Sequence, residues 1–307
     1  MRWEDREISS NVEDRRGGDS SSGFSGGGGG RSSSTPSLGA IMMFWPLIRP
    51  LLKTKFGWTL IAIGGFLYFM GINPLNLVNG NIATNPTTHQ TTKTGTLKDK
   101  EARFIATVLR DTEVVWHEIF REFGQRYKEP KLVLFRGATH SACGMASAQI
   151  GPFYCPADQK VYIDLDFFDE LARNYNASGD FAEAYVLAHE VGHHVQNMLG
   201  ILDKAQTLKH AARSQRDENR VQVKVELQAD CFAGVWANRA EKRFHMLEEG
   251  DIEEALNTAS AIGDDTLQKR AQGYVVPDSF THGSSAQRVY WFKRGFETGD
   301  IRECNTI

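Results

Sequence analysis

The sequence predicts an α+β fold, mostly helical with a small β-sheet and preceded by one transmembrane helix. Three observations carry that expectation: a succession of segments with apolar residues at helical spacing, two short β-rich runs between Gly/Pro-containing turns, and a stretch, Gly57 to Thr92, with no Asp, Glu, Lys or Arg. At 307 residues, 41% of them hydrophobic, the chain has material for a sizeable core. The net charge of −3 gives no basic face, so a nucleic-acid partner is not expected.

Residues 1–37 mix charges of both signs with a Gly/Ser tract that includes Gly26 to Gly30, and are expected to form a disordered cytoplasmic tail. Residues 38–78 are read as a membrane-interface segment followed by a transmembrane helix. Phe56–Ile72 is uncharged, uncharged sequence continues to Val78, and the earlier patch Ile41–Leu52 is broken by Pro46 and Pro50. The expected contact with the lipid bilayer is through residues 56–78. Arg49, Lys53 and Lys55 precede the span and the next basic residue is Lys93. The positive-inside rule then gives a single pass, with the N-terminus inside and the large domain extracytoplasmic. Polar residues 79–98 read as a linker, and 99–307 as the folded domain.

That domain opens with an amphipathic helix around Asp99–Tyr127. Lys131–Arg136 and Lys160–Asp164 read as strands. Helical patterning follows at Phe167–Tyr175, Asp180–Leu199, Asp217–Phe244, Asp251–Gln272 and Ala286–Thr298.

Within Asp180–Leu199 lies His189-Glu190-Val191-Gly192-His193. Residues four apart share a helix face, so both imidazoles can reach one cation. Glu190, about 100° round the helix from His189, can address a water without itself binding the metal. Such a motif arises by chance in about 1% of chains this long, so it needs company. A hydrolytic zinc site takes three protein ligands and keeps a fourth position open. Glu226 on the next long helix can be the third ligand. Asp230, one turn on, can accept a hydrogen bond from a ligand imidazole and so hold its orientation. The apolar neighbours Val223, Val225, Leu227, Ala229 and Phe232 argue against a solvated acidic face.

With these residues in hand, the chain resembles the bacterial neutral zinc metallopeptidases, single-anchor proteins with a zincin-like domain. The segments that carry the resemblance are MRW with NVEDRRG, CG…GPFYCPAD…VYID, AYVLAHEVGHHVQ, VELQADCFAGVWA and PDSFTHGSSAQRVYWFKRG, which span most of the chain. The resemblance implies a zinc endopeptidase of the glutamate-ligand zincin type, acting on peptide or protein substrates in a bacterial inner membrane. It also implies that the strand before the active-site helix, taken as Lys160–Asp164, lines the cleft and pairs with substrate.

The expected chemistry is attack of an activated water with Glu190 as general base. A second group must help hold the developing oxyanion, and His282 is the candidate, with Tyr274 and Tyr290 as weaker ones. His194, His117 and His140 are read as structural. The competing function is a non-catalytic zinc-binding scaffold or chaperone of the cell envelope, which would have no need of Glu190 between the two histidines.

All four cysteines, Cys143, Cys155, Cys231 and Cys304, fall on the expected extracytoplasmic side, and an even number there suggests two disulfides. Three connectivities are open. The favoured one pairs Cys143 with Cys155 across a short Gly/Pro-containing loop, which leaves Cys231 with Cys304.

Overall fold

The computed structural model describes residues 1–16, 99–147, 151–175 and 177–307. The Gly/Ser tract, the apolar stretch and the linker lie outside the described residues, and the expected membrane helix lies there with them. Among the described residues no helix is long and apolar enough to cross a membrane.

The expected α+β character holds, with helices in the majority. A four-stranded sheet has the order β1-β2-β6-β5, from β1 (Val12–Asp14), β2 (Lys131–Phe135), β6 (Lys160–Asp164) and β5 (Phe153–Cys155). Strands β1, β2 and β6 are mutually parallel, and β5 runs antiparallel to β6. A separate hairpin joins β3 (Ala138–Ser141) to β4 (Gly144–Ser147). Eight α-helices are described: α1 (Lys100–Glu122), α2 (Asp166–Tyr175), α3 (Asp180–Met198), α4 (Ile201–His210), α5 (Gln215–Phe244), α6 (Asp251–Ala261), α7 (Asp264–Gln272) and α8 (Ser285–Thr298).

Helix α3 is the centre of the unit formed by the described residues. It packs on β5 and β6 on one side and on α1, α5 and α6 elsewhere. Phe181, Ala184, Tyr185, Leu187, Ala188, Val191 and Val195 are all buried, so the helix is apolar on nearly every face, as a fully enclosed helix must be. Helices α5 and α8 make the closest helix contact. A Cβ at Gly295 would collide with the Cys231 carbonyl, and one at Gly234 with the Phe292 carbonyl, so two glycines let these backbones touch.

Residues 1–16 differ from the expected disordered tail. Val12–Asp14 pairs in register with Leu132–Leu134, and 1–16 belong to the same compact unit as the large domain. Met1 and Trp3 are buried, with Trp3 edge-on to Phe104 at 5.2 Å between centroids. Side chains of this kind gain about 1.5–3 kcal/mol each on burial. Several of the charges that suggested a solvated tail are paired instead. Arg6 pairs with Asp111, Glu13 with Lys160 at 2.8 Å, and Arg16 with Asp14 and Asp99.

Three element readings change as well. The expected helix Asp251–Gln272 is two helices, interrupted at Gly263, where a side chain would collide with Ser285. Lys160–Asp164 is a strand as expected but sits inside the sheet, between β2 and β5. The edge strand on that side is β5, which also lines the cleft, so pairing with an extended peptide there falls to Phe153–Cys155 instead. Helix α4 fills a span that carried no expectation. Both favoured disulfides are present, Cys143–Cys155 with Cα atoms 5.8 Å apart and Cys231–Cys304 with Cα atoms 5.6 Å apart.

Candidate metal centre and active site

The two histidines of the motif project from one face of α3 because they are four residues apart. Helix α5 crosses α3 closely at Gly192, where a Cβ would stand only 3.1 Å from the Ala229 carbonyl oxygen. That approach brings Glu226 and Asp230 to the histidines. Nε2 of His189 lies 3.3 Å from Glu226 Oε2, and Nε2 of His193 lies 3.4 Å from the same oxygen. A tetrahedral zinc with arms of about 2.0–2.1 Å separates its ligand atoms by about 3.3–3.4 Å. Both histidines therefore stand from Glu226 at the edge length such an ion requires, all three ligand atoms lie within 4.8 Å of one another, and the imidazole and carboxylate chemistry suits it.

Each candidate ligand is held from behind. His189 Nδ1 donates to Asp230 Oδ1 at 2.8 Å, which turns Nε2 towards Glu226. Gln222 donates to Glu226 Oε1 at 2.6 Å and leaves Oε2 for the centre. His193 Nδ1 donates to Gln196 Oε1 at 2.8 Å.

Asp230 is fully buried and saturated. Its Oδ1 also accepts from Tyr185 Oη at 2.6 Å and from Arg288 Nη2 at 2.9 Å, while Oδ2 accepts from Arg288 Nε at 2.8 Å. Burial by itself would raise the Asp230 carboxyl, but the Arg288 guanidinium and His189 hold it well below the usual carboxylate range. Burial pushes the His189 imidazolium down, yet Asp230, aided by Glu226, carries it up to about 10. Glu226, despite burial, is held far below its ordinary value by His193 and His189. The pocket thus stabilises positive charge where the three ligand atoms meet, which is what a divalent cation supplies.

The site opens on a cleft of about 810 Å³. Glu190 lines it beside His189, His193 and Glu226, and Phe167, Leu171, Ile262 and Leu267 give it apolar walls. Pro152, Phe153 and Tyr154 bring the outer strand to its edge. Tyr154 is tied to α3 by His194 and Asn197. His194 Nε2 donates to the Lys128 carbonyl at 2.6 Å, so its Nδ1 accepts from Tyr154 Oη at 3.0 Å, and Asn197 donates to the same oxygen at 2.9 Å. Burial pulls the His194 imidazolium down to about 4, so this histidine is a neutral structural bracket, as expected.

His282 also lines the cleft, half exposed on the loop before α8. Asp264 Oδ2 gathers that loop by accepting from the backbone N–H groups of Thr281, His282 and Gly283, and Asp264 Oδ1 lies 3.3 Å from His282 Nδ1. Tyr274 and Tyr290 are exposed, and neither is among the residues that line this cleft. His117 pairs with Glu129 at 2.9 Å, away from the ligands. Sequence reasoning missed Arg288, Tyr185 and Gln196. The available signal for Arg288 was a charge on the core-facing side of an otherwise amphipathic helix.

A second acidic group, Asp180, Asp251 and Glu254, could also converge on a cation. The Met1 amino group is already there, 2.9 Å from Asp180 and 3.2 Å from Asp251.

A family model described as "Putative neutral zinc metallopeptidase" matches residues 1–307. The chain is 46% identical over 307 residues to the uncharacterized protein YpfJ of Escherichia coli K12, covering 100% of this chain and 99% of that one. It is 42% identical over 217 residues to the uncharacterized proteins Mb2605 of Mycobacterium bovis and Rv2575 of Mycobacterium tuberculosis, covering 67% of this chain and 70% of theirs. No solved structure matches. With the match running from first residue to last, the chain belongs to the neutral zinc metallopeptidase family.

Proposed function

We propose that this chain is a zinc-dependent metalloendopeptidase in which Glu190 is the general base. The observation that carries the reading is the meeting of His189 Nε2, His193 Nε2 and Glu226 Oε2 on the wall of a peptide-sized cleft that Glu190 also lines. Zinc held by these three supplies Lewis acidity, bringing the pKa of water towards about 7 and polarising the scissile carbonyl. Glu190 takes the proton from the water as its oxygen bonds to the carbonyl carbon. The same carboxyl then gives that proton to the amine nitrogen as the C–N bond breaks. His282, oriented through Asp264, is placed to donate to the developing oxyanion. The outer edge of β5 offers backbone groups to an extended substrate, and the apolar walls receive its side chains. A scaffold would need the metal ligands but not Glu190 in the cleft.

The reading is tested by cleavage of an unstructured protein such as casein by the full chain, before and after chelation. Cleavage is expected to be lost with a strong chelator and to return with added zinc. Chelator-resistant cleavage, or none from zinc-loaded protein, overturns the peptidase assignment.

The membrane reading is retained in altered form. We propose that the apolar stretch around residues 56–78 meets the bilayer and that residues 1–16 and 99–307 lie together on its extracytoplasmic side. In support, β1 is hydrogen-bonded into the sheet of the large domain, and a strand cannot pair with its neighbour across a bilayer. The two disulfides favour the oxidising side. A single pass with the N-terminus inside would set β1 and β2 on opposite sides of the bilayer. Glu4→Cys and Lys242→Cys, both at exposed positions, test this with a membrane-impermeant maleimide on intact spheroplasts. Both should label without lysis. Labelling of Lys242→Cys alone restores the single pass, and labelling of neither places the domain inside.

A further inference from the structure

Asp230 orients one zinc-ligand histidine. The other, His193, has no carboxylate at its Nδ1, and a chain of amides takes that place. His193 Nδ1 lies 2.8 Å from Gln196 Oε1. Gln196 Nε2 donates to the Val225 carbonyl at 2.7 Å and to Gln228 Oε1 at 3.0 Å. Gln228 Nε2 donates to the Cys304 carbonyl at 2.8 Å. Gln196 is fully buried and Gln228 nearly so, which leaves neither amide free to turn towards water.

The direction of every bond in this chain is determined from its far end. A backbone carbonyl can only accept, so Gln228 must present its NH2 to Cys304 and its oxygen to Gln196. Gln196 faces that oxygen and the Val225 carbonyl, two acceptors, so it must present its NH2 to both. Its own oxygen is then left for His193. An acceptor at Nδ1 requires the proton there, and Nε2 keeps the lone pair that faces Glu226. Turning either glutamine round would set oxygen against oxygen in a buried site, at about 1–3 kcal/mol for each unsatisfied group. The Cys304 carbonyl is itself anchored, because Cys304 is disulfide-bonded to Cys231 on α5, the helix that carries Glu226.

We propose that Gln196, held by the Val225 carbonyl and, through Gln228, by the Cys304 carbonyl, is the positioning residue that fixes His193 as the Nδ1–H tautomer and so presets it for zinc. The C-terminal segment thereby acts on a ligand from 76 residues beyond Gln228 in sequence. The zinc part of this inference rests on the metal-site reading above, whereas the tautomer part does not.

The experiment uses full-length protein with 15N-labelled histidine. It reads the tautomer of His193 by NMR in the zinc-free form, at a pH high enough for the ring to be neutral, and zinc affinity by competition with a chromophoric chelator. Wild type should show a single Nδ1–H tautomer at His193. Gln196→Leu should give a mixture and weaken zinc binding about 10–100-fold. Gln196→Glu, whose acid form keeps an acceptor towards His193 and an O–H donor towards the Val225 carbonyl, should restore the tautomer. Gln228→Leu removes one of the two acceptors that face Gln196 Nε2 and leaves the Val225 carbonyl, so it should keep the tautomer and weaken zinc binding less than Gln196→Leu does. An Nδ1–H tautomer unchanged in Gln196→Leu overturns the proposal, as does an Nε2–H tautomer in wild type, a result that needs no variant to fold. A wild type that shows the expected tautomer but binds no zinc leaves the relay standing and removes the metal-site reading.

Discussion

Glu190→Gln is expected to lower peptide cleavage by about 10²–10⁴-fold while leaving zinc content and thermal stability unchanged. The reasoning separates two jobs that neighbouring residues perform. The three atoms that converge on the metal position belong to His189, His193 and Glu226, and Glu190 contributes none of them. Removing its ionised oxygen therefore leaves the ligand set and the hydrogen bonds behind it intact. What is lost is the only step assigned to Glu190, carriage of a proton from water to the leaving amine, because a neutral amide cannot accept that proton. Glutamine has nearly the same shape, so the variant isolates chemistry from packing. Zinc analysis, a melting curve and initial cleavage rates on one preparation check the prediction. Cleavage within a few-fold of wild type would exclude Glu190 as the base, and loss of zinc would mean that it is a ligand after all.

The largest stability effect is expected at a residue outside the candidate ligand set. Arg288→Met should destabilise the protein by about 3–5 kcal/mol, the usual result of removing one partner from a buried ion pair. The Asp230 side chain is 0% exposed and that of Arg288 3%, so neither charge has water to fall back on. Arg288 gives Asp230 two hydrogen bonds, at 2.8 and 2.9 Å, from the fork of its guanidinium. Without them Asp230 keeps only Tyr185 and His189, and its carboxylate becomes costly to hold ionised. Zinc affinity should fall in the same variant, because the carboxylate that orients His189 is then prone to protonation. Arg288→Lys retains charge but not the planar fork, and should fall between the two. Urea unfolding with an unchanged m-value measures the difference. A Met variant as stable as wild type would show that the pair is not the structural keystone described here.

Legibility in the sequence tracks how local the determining physics is. His189, Glu190 and His193 were readable because helical geometry alone puts residues four apart on one face. Glu226 and Asp230 were readable because their spacing is likewise a single turn and their neighbours are apolar. Nothing local announces that Arg288 reaches Asp230, since the two are separated by 58 residues and meet only because Gly234 and Gly295 let α5 and α8 touch. Gln196 lay inside a motif already under scrutiny, but its role depends on Gln228 and Cys304, which only the folded chain brings near. The strand Val12–Asp14 looked like tail because its three residues carry two acids and its partner lies more than a hundred residues on. Strand order was equally hidden. Lys160–Asp164 has the stronger β pattern, yet the short Phe153–Cys155 takes the outer position, where side-chain alternation is a poor guide.

Zinc-edge anomalous diffraction from crystals of the full-length protein tests the central claim most directly. The account predicts one zinc per chain, bound by Nε2 of His189, Nε2 of His193 and a carboxylate oxygen of Glu226, with its remaining position open to the cleft beside Glu190. A zinc-replete protein with no peak among those three residues, or with its only peak at Asp180, Asp251 and Glu254, would contradict it.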